Sequence, residues 1–264
     1  MSRGPSLRSI LGISTTKAIL ITPRKTTRST RSGVTKPITS QPTGEALCIT
    51  RERHTAAVGV VEHGNSAVLI TVGPRGELLD RRRVDLTRGL PTHPYHHEGS
   101  WAVGRYLNSS WAHSISLPEA VALVERVRQA AALGAHDSLE ALATAVPVPI
   151  SCIAIRECPR LPQTTEERIS DTRAANIADS VMYREALATA AAARGWYVNW
   201  YDRKRVWREA SAAIAGQDIE AFLRHMGRSI GPPWQANHKL AAAAALAAAA
   251  QRKEGQSGVF SDVA

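Results

Sequence analysis

Phenylalanine, methionine and cysteine are nearly missing from this chain, with two, three and three among 264 residues. Cys48, Cys152 and Cys158 form an odd, scattered set without zinc-ligand spacing. That argues against a disulfide framework or a cysteine-based metal site and suits a reducing, cytoplasmic setting. No run approaches the roughly 18 to 20 apolar residues that span a bilayer, so no membrane partner is expected. Nucleotide-binding glycine loops are absent, since Gly73-Pro74-Arg75-Gly76 lacks the following Lys-Ser/Thr, and there is no Gly-X-Ser-X-Gly elbow.

Acidic residues are scarce at one end. Residues 1–55 hold ten Lys/Arg against Glu45 and Glu52, which is +8 of the net +10. The rest of the chain is almost neutral. Residues 1–55 are rich in Ser, Thr, Arg and Pro, and their one apolar run, Ala18 to Ile21, ends at Pro23. Such a composition cannot offset its ordering entropy, and a disordered basic tail is expected. An extension without a role, a nucleic-acid-binding arm and an organelle transit peptide all fit it. A second disordered tail is expected over 251–264, leaving a single domain over 56–250.

Within that domain the pattern is one of short buried strands. Ala57 to Val61 is a continuous apolar run ending at Glu62-His63-Gly64-Asn65; Ala67 to Val72 follows, then Leu78 to Leu86. These three predict an antiparallel meander. Residues 88–115 break the periodicity and read as a loop insertion. Ser116-Leu117-Pro118-Glu119 is a capping box that opens a helix toward Ala132, with a short one over 137–145. Ile150 to Ile155 is a fourth strand, ending at Arg156-Glu157-Cys158-Pro159. A helix over 165–194 follows, with Ile169, Ile177, Val181 and Ala188 on one face, and Gly195 marks its end. Trp196 to Tyr201 forms a fifth strand, and helices are expected near 203–215, 217–227 and 233–250. The order predicts an α/β mixed sheet, a three-strand meander joined to parallel strands and flanked by helices.

Candidate chemistry gathers where strands end. Glu62 and Glu157 stand at the carboxyl ends of the first and fourth strands, and His238 stands near the start of the last helix. If those strands are neighbours the carboxylates converge, and paired carboxylates suit a hard cation such as Mg²⁺ or Mn²⁺. Each has a plain structural alternative. Glu62 could be the first exposed residue after a strand, Glu157 could pair with Arg156, Arg160 or Arg168, and His238 could pack against Trp234.

With these residues in this order, the chain resembles the ribonuclease H-like superfamily, in particular its Holliday-junction resolvase branch, over about residues 56–250. Glu62-His63-Gly64 stands where that branch has an Asp-Pro-Gly turn, Glu157 matches its strand-end glutamate, and Asn237-His238 matches the polar start of its last, metal-binding helix. The resemblance implies that Glu62, Glu157 and His238 are catalytic residues and ligands of divalent metal, with a metal-activated water attacking a phosphodiester. The chain departs from the pattern in having Glu rather than Asp at position 62 and Ala241 one turn after His238, where an aspartate is common.

A second constellation lies in the insertion: His93, His96, His97 and Glu98, within His93-Pro94-Tyr95-His96-His97-Glu98. The prolines argue against a preformed zinc cage and favour a substrate-positioning loop. Trp101, Tyr106 and Trp111 follow, as base-stacking or core residues. On a helix, Asp171, Arg173, Asn176 and Asp179 form a face that could turn toward the strand ends, with a solvated face as the default. Three functions follow: a divalent-metal-dependent nucleic-acid phosphodiester hydrolase, a non-catalytic ribonuclease H-like module binding nucleic acid or a protein partner, and a small-molecule enzyme with the histidine loop as its lid. The composition sets no oligomeric state.

Overall fold

A computed structural model describes residues 54–105 and 115–258. The expected tail over 1–55 lies, but for its last two residues, outside these, as do Tyr106, Trp111 and residues 259–264. Five strands form one sheet: β1 (Ala56–His63), β2 (Ser66–Val72), β3 (Leu78–Asp85), β4 (Ile150–Arg156) and β5 (Tyr197–Tyr201). Their order is β3-β2-β1-β4-β5. The β1–β2 and β2–β3 pairs are antiparallel, while β1–β4 and β4–β5 are parallel. This is the α/β mixed sheet, a three-strand meander joined to parallel strands, that the sequence predicts. Its meander is joined at β1 to the parallel strands, so β1 and β4 end side by side.

The sheet buries both faces, which explains the continuous apolar runs of β1 and β4. Even-numbered Val58 and Val60 meet α1 (Leu117–Ala145) and α3 (Thr172–Ala193), in a core with Val124, Val127, Leu139, Met182 and Leu187. Odd-numbered Ala57 and Val61 meet the opposite layer of α4 (Val206–Ala213), α5 (Ile219–Ile230) and α6 (Ala236–Gly258). Helix α6 lies directly over β1: a Cβ on Gly59 would strike the backbone of Ala241 and Ala245. Glycine and alanine together let the two backbones touch.

Several element boundaries differ from the sequence reading. The helix from Ser116 does carry its capping box but runs unbroken to Ala145, because Ala131, Ala135, Leu139 and Leu142 stay buried on one stripe. The helix expected over 165–194 is two. A turn of helix, α2 (Thr165–Ser170), is capped by Thr164, and Asp171 then accepts the N–H groups of Arg173 and Ala174 to start α3. Ile177 turns out of the core, 39% exposed. The last helix continues to Gly258 rather than stopping at 250. Residues 96–105 of the expected loop form a π-helical segment, in which the Ser100 N–H donates to the Tyr95 carbonyl five residues back. No helix among the described residues is long and apolar enough to cross a membrane.

Candidate functional site

Glu62 and Glu157 stand at neighbouring strand ends, but their carboxylates do not converge: Arg184 from α3 bridges the Glu62 carboxylate and the Glu157 main chain. Glu62 follows the even-numbered residues of β1 toward the α3 layer. There the Arg184 Nε donates to Glu62 Oε1 at 2.8 Å and its Nη2 binds the same oxygen. Both side chains are buried, 5% and 7% exposed. The remaining Nη1 donates to the main-chain carbonyl of Glu157 at 3.0 Å. One guanidinium thus pins both strand ends. The Glu157 carboxylate points outward, 3.4 Å from Arg205, rather than to the expected Arg156, Arg160 or Arg168.

His238 belongs to the other face. It rides on α6, its ring stacked 5.8 Å from Trp234, and its Nδ1 accepts the Gln235 N–H at 3.1 Å. Burial and then the charge of Arg81 push its pKa down. Among the described residues no three His, Cys, Asp or Glu side chains are grouped so as to hold a metal ion. The donor set at the strand ends does not fit a pair of divalent ions: the Glu62 carboxylate is already paired with a buried guanidinium, and the Glu157 carboxylate points away.

Beside Arg184 the strand ends open into a cavity of about 550 Å³, lined by Arg156, Glu157, Cys158, Asn176, Ser180, Arg184, Tyr201, Asp202, Arg203 and Lys204 among others. Four cations line it against two carboxylates. The side chains of Arg156, Arg203 and Lys204 are exposed and make no hydrogen bond or ion pair within the described residues. The floor is closed by Tyr201, whose hydroxyl donates to the Val60 carbonyl at 3.0 Å. Burial, with the charge of Glu62, keeps that hydroxyl protonated. Burial likewise pushes the Cys158 thiol up, so it is no thiolate nucleophile.

The histidine segment flanks this site. A Cβ on Gly64, two residues after Glu62, would lie 4.0 Å from His93 Cε1. His93 Nδ1 stands 3.7 Å from Asp179 Oδ2. Asp179 is not on a solvated face, as its position among the helix polar residues suggests. It is buried, accepts the Tyr95 N–H on Oδ1 at 2.9 Å, and leaves Oδ2 without a hydrogen-bond donor. Tyr183, on the next turn, donates to the Thr92 carbonyl at 3.0 Å, with its pKa pushed up to about 12 by burial. The rings of His93 and His96 lie 4.9 and 5.0 Å from that of His97, and His97 stacks on Trp101 at 4.3 Å. Glu98 is half-buried in the same segment.

Sequence reasoning found the two glutamates and the histidines, named Asp179 only within a polar helix face, and missed Arg184 and Tyr183. One signal was available. Arg184 is three residues from both Val181 and Leu187, so a charge stands in register with the buried stripe.

No protein-family model matches the chain, and no curated protein matches it. Among solved structures it is similar to T. thermophilus RuvC in complex with Holliday junction substrate, at TM-score 0.42 and 15% identity over 76% of this chain and 97% of that one. It is also similar to a second Thermus thermophilus RuvC structure at TM-score 0.38, with the same identity and coverage. The fold itself rests on the strand order and register.

Proposed function

We propose that this chain is a ribonuclease H-like module that binds nucleic acid at its strand ends through fixed cations, not a divalent-metal-dependent hydrolase. The observation that carries this is the buried Arg184–Glu62 pair. A guanidinium there supplies positive charge where the resemblance would put metal, and it cannot leave without stranding a buried carboxylate. Arg156, Arg203 and Lys204 around the cavity are the cations left for phosphate oxygens.

The test is fluorescence anisotropy of the full chain with labelled RNA and DNA oligonucleotides in the presence of EDTA. Binding is expected without metal and at least tenfold weaker when Arg156, Arg203 and Lys204 are all changed to Ala. Oligonucleotide binding that the triple variant leaves intact would refute the site.

The metal-hydrolase reading has one observation in its favour, the adjacency of the Glu62 and Glu157 strand ends on Arg184. It requires Arg184 to swing away and Mg²⁺ or Mn²⁺ to enter. Calorimetric titration of either ion into the full chain would then give saturable binding that Glu62→Gln and Glu157→Gln both abolish. On the cation reading neither ion binds saturably.

A further inference from the structure

The histidine segment is more elaborately built than phosphate binding requires. A buried carboxylate spends one oxygen on the Tyr95 N–H and holds the other, unpartnered, toward His93. The segment takes the rare π-helical form, whose wide turns recur at functional sites. Gly99 permits that form, since a Cβ there would lie 2.8 Å from the Pro94 carbonyl. His97, stacked on Trp101, contacts the rings of both His93 and His96, and His96 also packs on Trp101 at 4.5 Å. His93 also stands near the end of β1, since a Cβ on Gly64, two residues after Glu62, would lie 4.0 Å from its Cε1.

We propose that His93 and His96 are an acid–base pair that cleaves RNA without metal, using the substrate's own 2′-hydroxyl as nucleophile, and that Asp179 is the residue positioning His93. The proposal rests on the nucleic-acid reading above and adds a reaction and a substrate class to it. Neutral His96 takes the proton of the 2′-hydroxyl as that oxygen forms a bond to phosphorus. The bond from phosphorus to the 5′-oxygen breaks, and protonated His93 gives its proton to that oxygen. A 2′,3′-cyclic phosphate and a 5′-hydroxyl result, and the two imidazoles have exchanged protonation states, which solvent restores. Nothing is oxidised and no co-reactant is consumed. DNA, lacking the nucleophile, is bound but not cut.

The surroundings push the two imidazoles in the directions these roles need. Asp179 raises the pKa of His93, outweighing its desolvation, and so favours the protonated form. Burial lowers that of His96, and the charges of His97 and His93 lower it further against the pull of Asp179, so His96 is neutral. Separated pKa values in adjacent groups are how one site holds an acid and a base together. The charged and titratable groups acting on the pair are Asp179 from α3 and His97 from the same segment. The β1–β2 turn presents Gly64, α1 packs apolar residues against Tyr95 and brings the charge of Arg128 to its hydroxyl, and Tyr183 of α3 donates to the Thr92 carbonyl. The rate should rise with pH as His96 deprotonates and fall as His93 does, a bell whose limbs belong to different residues.

The experiment uses the purified full chain in EDTA with three labelled oligonucleotides of one sequence: RNA, DNA and fully 2′-O-methylated RNA. Cleavage of RNA alone is expected, leaving cyclic phosphate and 5′-hydroxyl ends. His93→Gln and His96→Gln should each lose about 100-fold or more of the rate while binding 2′-O-methyl RNA like the wild type, which also reports that they fold. Asp179→Asn, whose amide oxygen can still accept the Tyr95 N–H, should move the falling limb to lower pH, a shift that a merely structural role would not produce. If 2′-O-methyl RNA binds but RNA stays intact, the acid–base pair is refuted and the nucleic-acid reading stands. If no oligonucleotide binds, both fall. Products with 5′-phosphate ends, or cleavage that survives in both histidine variants, overturn the pair as well.

Discussion

Arg184 holds three bonds at once, two to the Glu62 carboxylate and one to the carbonyl where β4 ends. Removing it leaves a carboxylate 7% exposed without a counter-charge. Arg184→Met is therefore expected to cost about 3–5 kcal/mol, seen as a fall in Tm of roughly 10 °C for a domain of this size. Combining it with Glu62→Leu should recover most of that loss, because the penalty comes from the orphaned charge rather than the missing bond; circular-dichroism melts of the full chain measure both. The glutamates were legible in the sequence because each follows an apolar run, and a strand end is a place the eye already searches. Arg184 and Asp179 were not, since a charge on a helix is solvated by default and only three-dimensional neighbours turn it inward.

Elements were read well where periodicity is set by the sheet and less well where side-chain capping decides. Strands β1, β2 and β4 and their buried faces follow from uninterrupted apolar runs. The break at Asp171 follows instead from one carboxylate preferring the N–H groups of Arg173 and Ala174, a choice that hydrophobic spacing does not register. The π-helical segment was invisible for a related reason: its bonds span five residues, a period that neither the strand nor the α-helix template searches. The contact between β1 and α6 yields a sharp comparison. Gly59→Ala would drive a methyl into the Ala241 and Ala245 backbone and should cost about 3 kcal/mol, the upper end for overpacking a core. Gly89→Ala, at φ +70 but with open space around it, should cost only about 1–2 kcal/mol. Urea denaturation of the two variants separates clash from backbone strain.

At the scale of the whole molecule, charge is divided rather than spread. Residues 1–55 carry +8 of the net +10, and one cavity in the remainder is lined by four cations against two carboxylates. Affinity for nucleic acid should fall steeply with salt. Replacing Arg156, Arg203 and Lys204 by Ala should reduce the slope of log affinity against log salt by about 2–3, measured by anisotropy from low to physiological salt. A change in affinity without a change in slope would mean that these residues do not displace counter-ions from phosphate.

On the other face of the sheet α6 packs directly against β1. Ala241 through Ala245, with Ala247 and Ala248, are buried there. Alanine has no rotamers to freeze, so this layer surrenders no side-chain entropy on folding, and it has no alternative packings to visit once folded. The helix is held by backbone proximity and summed dispersion instead of by interlocking side chains that could slip from one arrangement to another. A strand end resting on such a layer keeps its position when a ligand arrives, and the work of accommodating the ligand passes to the long, unpaired arginine and lysine side chains at the rim.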